Sequence, residues 1–184
     1  MKVYIAKNCG FCSGVRKAVD TAFSVPAENT YILGELIHNE DVNARIRERG
    51  IPTVESLAEV PDGARLLIRS HGVPKAVYAR CEARGIKVID CTCKFVANSQ
   101  HIVERESKAG KVVAITGHRE HPEVVGLIGW SEGEVYVFSS EEDDFTCLSG
   151  KNVVLLSQTT FSEQRFSKIA EKIKKVCPKT VEIF

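Results

Sequence analysis

The chain has 184 residues, with 25 Lys and Arg against 24 Asp and Glu and a net charge of +1. That length can bury the core of one large or two small domains, and the balanced charge excludes both a broad nucleic-acid-binding surface and an acidic disordered tail. No stretch approaches the ~18 consecutive apolar residues of a membrane span, and the opening Met-Lys-Val-Tyr-Ile-Ala lacks the basic, apolar, small-residue order of a signal peptide. A cytoplasmic location is expected, and in a reducing compartment seven cysteines point to metal or redox chemistry rather than to structural disulfides.

Short β-branched runs alternate with amphipathic stretches along the whole sequence. A strand is expected at 2–6, then the turn Gly10-Phe11-Cys12-Ser13-Gly14 and a helix over 14–23. Further strands are expected at 30–33, 65–70, 87–90, 111–116, 134–138, 152–157 and 180–184. Helices are expected at 39–49, 74–84, 95–109, 122–128 and 162–176, some with Pro in the first turn. This βα alternation predicts parallel sheets in an α/β fold. No Gly/Ser linker or low-complexity tract marks a boundary, and the division is placed at Cys93, giving domains 1–93 and 94–184. The run 180–184 reads as a buried strand with no loop or helix after it, so further sequence downstream is expected.

The chemistry-bearing residues fall between strand and helix, where ligands bind at the carboxyl edge of a parallel sheet. Cys12 opens the first helix between two glycines that allow a tight turn, and a helix N-terminus favours the thiolate that binds iron or zinc. A buried, inert cysteine is the plainer alternative. In Asp90-Cys91-Thr92-Cys93 a Cys-x-Cys pair could bind one metal, but one cysteine is expected to be core: Cys93, nearer the helix head, is taken as the ligand and Cys91 as packed. Cys9 and Cys12 form a Cys-x-x-Cys that would also suit a redox pair or half a zinc site. Cys81, Cys147 and Cys177 read as structural. His38, His71 and His121 occupy similar loop positions; they could be the three ligands of a zinc site, or donors to a diphosphate aided by helix dipoles. His101 sits mid-helix with no such role. Glu123 could merely complement its helix dipole; beside bound anions its proton affinity would rise and make it a proton donor. The hydroxyls of Gln158-Thr159-Thr160 could cap the next helix or relay a proton.

These segments together resemble the 4-hydroxy-3-methylbut-2-enyl diphosphate reductases, the LytB family. The matching stretches are Gly-Phe-Cys-Ser-Gly at 10–14, Ile-His-Asn at 37–39, Val-Pro-Asp-Gly at 60–63, Ser-His-Gly-Val at 70–73, Asp-Cys-Thr-Cys at 90–93, His-Pro-Glu-Val at 121–124 and Ser-Gln-Thr-Thr at 157–160. The resemblance implies a fold of three similar α/β domains, the third of them absent here, around an iron-sulfur cluster (4Fe-4S, or 3Fe-4S when damaged). It implies reductive removal of the substrate hydroxyl to give isopentenyl and dimethylallyl diphosphate in the non-mevalonate route, with electrons from a reduced ferredoxin or flavodoxin-like donor. It makes Cys12 and Cys93 metal ligands, His38, His71, His121 and Thr159 substrate-binding residues, and Glu123 the catalytic acid. It also places a third cysteine, a Ser-x-Asn motif and a later serine beyond residue 184. Cys9 and Cys91 stand where the family does not usually have cysteine, and either could substitute as a ligand. The other readings carried forward are a repurposed two-domain relative that binds a metal or small phosphorylated ligand, or that needs a partner chain for the third lobe, and a zinc hydrolase built on the histidines. No nucleic-acid or membrane partner is expected.

Overall fold

The computed structural model describes residues 2–4, 6, 9–178 and 181–183. By packing, Met1–Ser70 with Cys81–Cys93 form one compact unit, and His71–Arg80 with Lys94–Phe184 form a second. The segment His71–Arg80 is held in the second unit by Trp130, whose indole Nε1–H donates to the Val73 carbonyl at 3.0 Å and whose ring meets Tyr78 edge-on.

The first unit is built from α1 (Ser13–Ser24), β1 (Thr30–Leu33), α2 (Glu40–Glu48), β2 (Thr53–Val54), β3 (Arg65–Ile68), the end of α3 (Lys75–Ala83) and β4 (Lys87–Asp90). Its four strands are all parallel in the order β2-β1-β3-β4. Ala18 and Ala22 of α1 are fully buried against Ile32, Ile46 and Leu67, small residues that let the helix backbone lie close to the sheet. Asn39 starts α2 as its N-cap, accepting from the Val42 N–H at 3.0 Å.

The second unit holds α4 (Lys94–Lys108), β5 (Val112–Thr116), α5 (Pro122–Ile128), β6 (Val135–Phe138), β7 (Val153–Ser157), α6 (Glu163–Val176) and β8 (Val181–Ile183). Its sheet repeats the first, parallel in the order β6-β5-β7-β8. The continuous apolar runs of β5 and β7 are explained by burial on both faces. Val113, Ile115, Val154 and Leu156 pack with Ile102, Val103, Val124 and Leu127 of α4 and α5, while Ala114, Val153 and Leu155 pack with Ile169 and Ile173 of α6. Each fully buried Leu or Ile contributes about 1.5–3 kcal/mol relative to exposure.

Most elements fall where periodicity puts them. The strand expected at 2–6 does not: Lys2–Tyr4 and Ala6 carry no strand, Val3 and Tyr4 are 72% and 87% exposed, and Ile5 lies outside the described residues. An alternating pattern makes a strand only where a neighbour offers a ladder. The run expected at 65–70 ends at Ile68, which frees Ser70 for the loop, and β2, two residues long, is too short to show a period. Of the run 180–184, β8 takes Val181–Ile183; Thr180 and Phe184 lie outside the described residues. Among the described residues no helix is long and apolar enough to cross a membrane.

Candidate functional site

In the first unit the chemistry sits on the turn after β1 and on the strand end after β4. The turn begins at Gly34, whose φ of +68° is open to glycine with little strain. It is tied down by the buried Asn43, which donates from Nδ2 to the Ile37 carbonyl at 2.8 Å, and by the Ser70 N–H, which donates to the Leu36 carbonyl at 3.1 Å. His38 rides on this anchored turn with its side chain exposed, its Nδ1 4.0 Å from a Glu35 carboxylate oxygen.

After β4, Asp90 accepts from the Thr92 N–H at 2.8 Å and the Cys93 N–H donates to the Ser70 carbonyl at 2.9 Å. This local turn separates the two cysteines. Cys91 is fully buried in the α1 core, and burial, reinforced by the Asp90 charge, pushes its thiol up to about 11. The option of Cys91 as a substitute ligand is therefore corrected: it faces the core. Cys93 is half-buried and lies against Gly14, where an added Cβ would come within 2.6 Å of its Sγ. Cys12 is exposed as the N-cap of α1, and its side chain makes no capping bond. Two thiols thus stand at the head of α1, one of them seated in space that only a glycine leaves. Cys9 is exposed. Among the described residues no three cysteine sulfurs lie within 4.8 Å of one another. Cys81 and Cys177 are buried and Cys147 is half-buried.

In the second unit the histidines and the acid converge. The His71 and His121 rings meet edge to face with centroids 5.5 Å apart. His121 is the N-cap of α5, with Pro122 at the first helical position. Its Nδ1 accepts from the Glu123 N–H at 3.2 Å, so in the neutral ring the proton belongs on Nε2, which then serves as a donor. Glu123 is 1% exposed. One carboxylate oxygen accepts from the Thr159 N–H and the other from the Thr159 hydroxyl, both at 2.7 Å. Burial raises the proton affinity of Glu123, while the two Thr159 bonds oppose the rise. The pair is a buried acid held in register by one threonine.

Two further residues have contacts that the sequence reading did not assign, although Gln158 lies within the Ser-Gln-Thr-Thr stretch. Gln158, 4% exposed, accepts from the His118 N–H at 3.2 Å and donates to the Thr160 hydroxyl at 2.7 Å. Asn43 is the other, with its hold on the His38 turn. The available signal was a glycine directly after each central strand, Gly34 and Gly117. His101 packs edge-on against Trp130.

A family model described as LytB protein matches residues 3–184. A 4-hydroxy-3-methylbut-2-enyl diphosphate reductase of Alkaliphilus oremlandii is 39% identical over 177 residues, 94% of this chain and 63% of the relative. One of Caldanaerobacter subterraneus subsp. tengcongensis is 37% identical over 180 residues, 95% of this chain and 62% of the relative. A solved (E)-4-hydroxy-3-methyl-but-2-enyl diphosphate reductase, titled the terminal enzyme of the non-mevalonate pathway, superposes with a TM-score of 0.84 at 31% identity, covering 99% of this chain and 66% of that one. The Plasmodium falciparum E-1-hydroxy-2-methyl-but-2-enyl-4-diphosphate reductase shares the fold, with a TM-score of 0.86 at 24% identity over 95% of this chain and 56% of its own. The chain spans about 62–63% of the length of the curated relatives it matches.

Proposed function

We propose that this chain, which belongs to the LytB family, carries the proton-delivering and much of the diphosphate-binding part of a reductase that removes the hydroxyl of 4-hydroxy-3-methylbut-2-enyl diphosphate. The observation that carries the reading is Glu123: a carboxyl buried to 1% exposure, with its proton affinity raised, and clamped by both polar groups of Thr159. A carboxyl whose burial favours its protonated form is suited to give up a proton as the hydroxyl leaves as water. The net reaction takes two electrons and two protons: a C–O bond breaks, a C–H bond forms and water leaves. The products are isopentenyl and dimethylallyl diphosphate.

We assign His121, through Nε2–H, and His71 beside it to the diphosphate, and His38 to the same ligand class by its position on the equivalent turn of the first unit. Thr159 orients the substrate hydroxyl while its own bonds hold Glu123. Cys12 and Cys93 are the residues we assign to an iron-sulfur cluster; their fit rests on two thiols at one helix head and on the seat that Gly14 leaves for the Cys93 sulfur. Such a cluster supplies the two electrons, relayed from a ferredoxin or flavodoxin-like donor, and Lewis acidity toward the leaving oxygen. We place the main domain boundary at Cys93, with His71–Arg80 belonging to the second unit, and the protein in the cytoplasm.

The test is anaerobic reconstitution of the full chain with iron and sulfide, followed by a dithionite and viologen reductase assay. A brown protein whose iron is lost in Cys12→Ser and Cys93→Ser supports the reading, as does diphosphate binding that weakens in His121→Ala. A second reading is that turnover needs a further lobe, from the same polypeptide or from a partner chain, since the residues given span 62–63% of the relatives' length. Weak turnover by the isolated chain is expected. A colourless protein with stoichiometric zinc would overturn both readings in favour of a zinc site on the histidines.

A further inference from the structure

The two units repeat one device at the carboxyl ends of their central strands. In the first, β1 ends at Leu33, Gly34 follows, and His38 comes four residues after the glycine. The Arg69 side chain, from the residue directly after β3, lies over the bare Cα of Gly34, where any Cβ would collide with the guanidinium. In the second, β5 ends at Thr116, Gly117 follows, and His121 comes four residues after it. The Gln158 side chain, from the residue directly after β7, lies over Gly117; a Cβ there would stand 2.9 Å from its Oε1 and 3.0 Å from its Cβ. β1 pairs with β3 as β5 pairs with β7, in sheets of the same order.

We infer that Arg69 and Gln158 are positioning residues, each latching the glycine turn that presents a site histidine, with Gln158 also aligning the Thr159 loop on Glu123. The second unit shows how this works. Both ends of the Gln158 carboxamide are engaged, Oε1 by the His118 N–H and Nε2 by the Thr160 hydroxyl. One side chain therefore ties the turn 117–121 to the loop 158–160. The Glu123–Thr159 bonds span that same gap. In the first unit Arg69 is half-buried after β3, and its neighbour Ser70 donates to Leu36 in the turn it covers.

The two latches differ in charge as their turns differ in task. A cation packed beside Glu123 would favour the ionised carboxylate, whereas a neutral carboxamide adds no such pull. The first unit has no buried acid on its turn, Glu35 and Glu40 both being exposed, so a cation at the corresponding position opposes nothing there. The inference rests on the proposed function only for what the histidines bind.

The test uses the full chain labelled with ¹⁵N. Gln158→Met removes both hydrogen bonds at similar volume, and Gln158→Glu restores two acceptors. In Gln158→Met the Thr159 amide is expected to exchange at least about tenfold faster relative to amides of β5 and β7, because local opening is governed by local contacts. In Gln158→Met inorganic diphosphate, followed by the His121 ring signals, should bind about tenfold more weakly; in Gln158→Glu the Thr159 protection should return, while the added negative charge keeps diphosphate affinity low. Arg69→Met should weaken the His38 response to diphosphate about tenfold, with most of the loss recovered in Arg69→Lys. Should Gln158→Met fail to fold, Thr160→Val removes the hydroxyl that accepts from the Gln158 carboxamide and is read the same way. Unchanged Thr159 exchange and unchanged diphosphate affinity, even with a lower melting temperature, would reduce Gln158 to a packing residue and overturn the inference. Wild-type chain that binds no diphosphate would refute the functional reading instead, while the exchange result would still judge the latch.

Discussion

Replacing Thr159 by Val removes a single hydroxyl from the acid pair at nearly constant shape. The Thr159 N–H bond to Glu123 remains, and the Oγ1 bond of 2.7 Å is lost. A hydrogen bond to an ionised group contributes about 1.5–3 kcal/mol, and one between neutral groups about 0.5–1.5 kcal/mol. Thr159 is itself exposed, so water can partly replace it and the lower figures apply: a loss of ~1.5 kcal/mol when Glu123 is ionised and ~0.5 kcal/mol when it is protonated. The sign follows from linkage. Glu123 has a folded-state proton affinity raised above its unfolded value. The stability it contributes is full below the unfolded pKa and is lost as pH rises through the folded pKa. Losing the hydroxyl raises that affinity further and deepens the loss at alkaline pH. The sole tryptophan, Trp130, lies in the second unit with Glu123, so urea unfolding followed by its fluorescence at pH 5 and pH 9 reports on the relevant unit. A variant equally destabilised at both pH values would refute the claim that the hydroxyl serves the carboxylate.

Glu123→Gln keeps the acceptor for the Thr159 N–H but cannot ionise; by the same linkage it should match the parent in acid and exceed it in stability above neutral pH, while reductase activity of a competent assembly falls about 10²- to 10⁴-fold. Gly14→Ala forces a methyl to within 2.6 Å of the Cys93 sulfur, and should cost about 1–3 kcal/mol in thermal unfolding and reduce reconstituted iron to the level of Cys93→Ser. Asn43→Ala leaves the Ile37 carbonyl without its side-chain donor, and should cost about 1–3 kcal/mol and broaden the His38 ring signals, with those of His121 unchanged.

The fold was legible where a strand is buried on both faces. Val-Val-Ala-Ile-Thr of β5 and Val-Val-Leu-Leu-Ser of β7 are too apolar and β-branched to be read otherwise. The same logic misled at 2–6, where Val3 and Tyr4 alternate correctly yet stay exposed, because pairing is a property of the neighbour as much as of the strand. The acid was legible as a candidate from its place two residues after His121. A rise in its proton affinity was expected from bound anions; its cause in the structure is burial, opposed by a threonine 36 residues away, and neither has a spacing signature. The carboxamides of Gln158 and Asn43 were invisible as functional groups, because an amide has no spacing signature and its role is set entirely by what it faces.

That dependence on surroundings explains how one repeated device yields two chemistries. Glu40 and Glu123 each stand two residues after a histidine, in the first turn of a helix that follows a central strand. Glu40 is exposed and paired with Arg47, a solvated arrangement that only complements the helix. Glu123 sits under Thr159 with almost no exposure. The difference traces to the residues after the adjacent strand. Arg69 and Ser70 follow β3, and the Ser70 N–H is spent on the Leu36 carbonyl. Gln158 and Thr159 follow β7, and the Thr159 N–H is left to meet the acid. A buried carboxylate with no such donor would be too costly to ionise at all, and an exposed one would already have lost its proton. In Glu123 burial raises the proton affinity and the two Thr159 bonds oppose that rise, so the elements that hide the acid also supply the donors that support its anion.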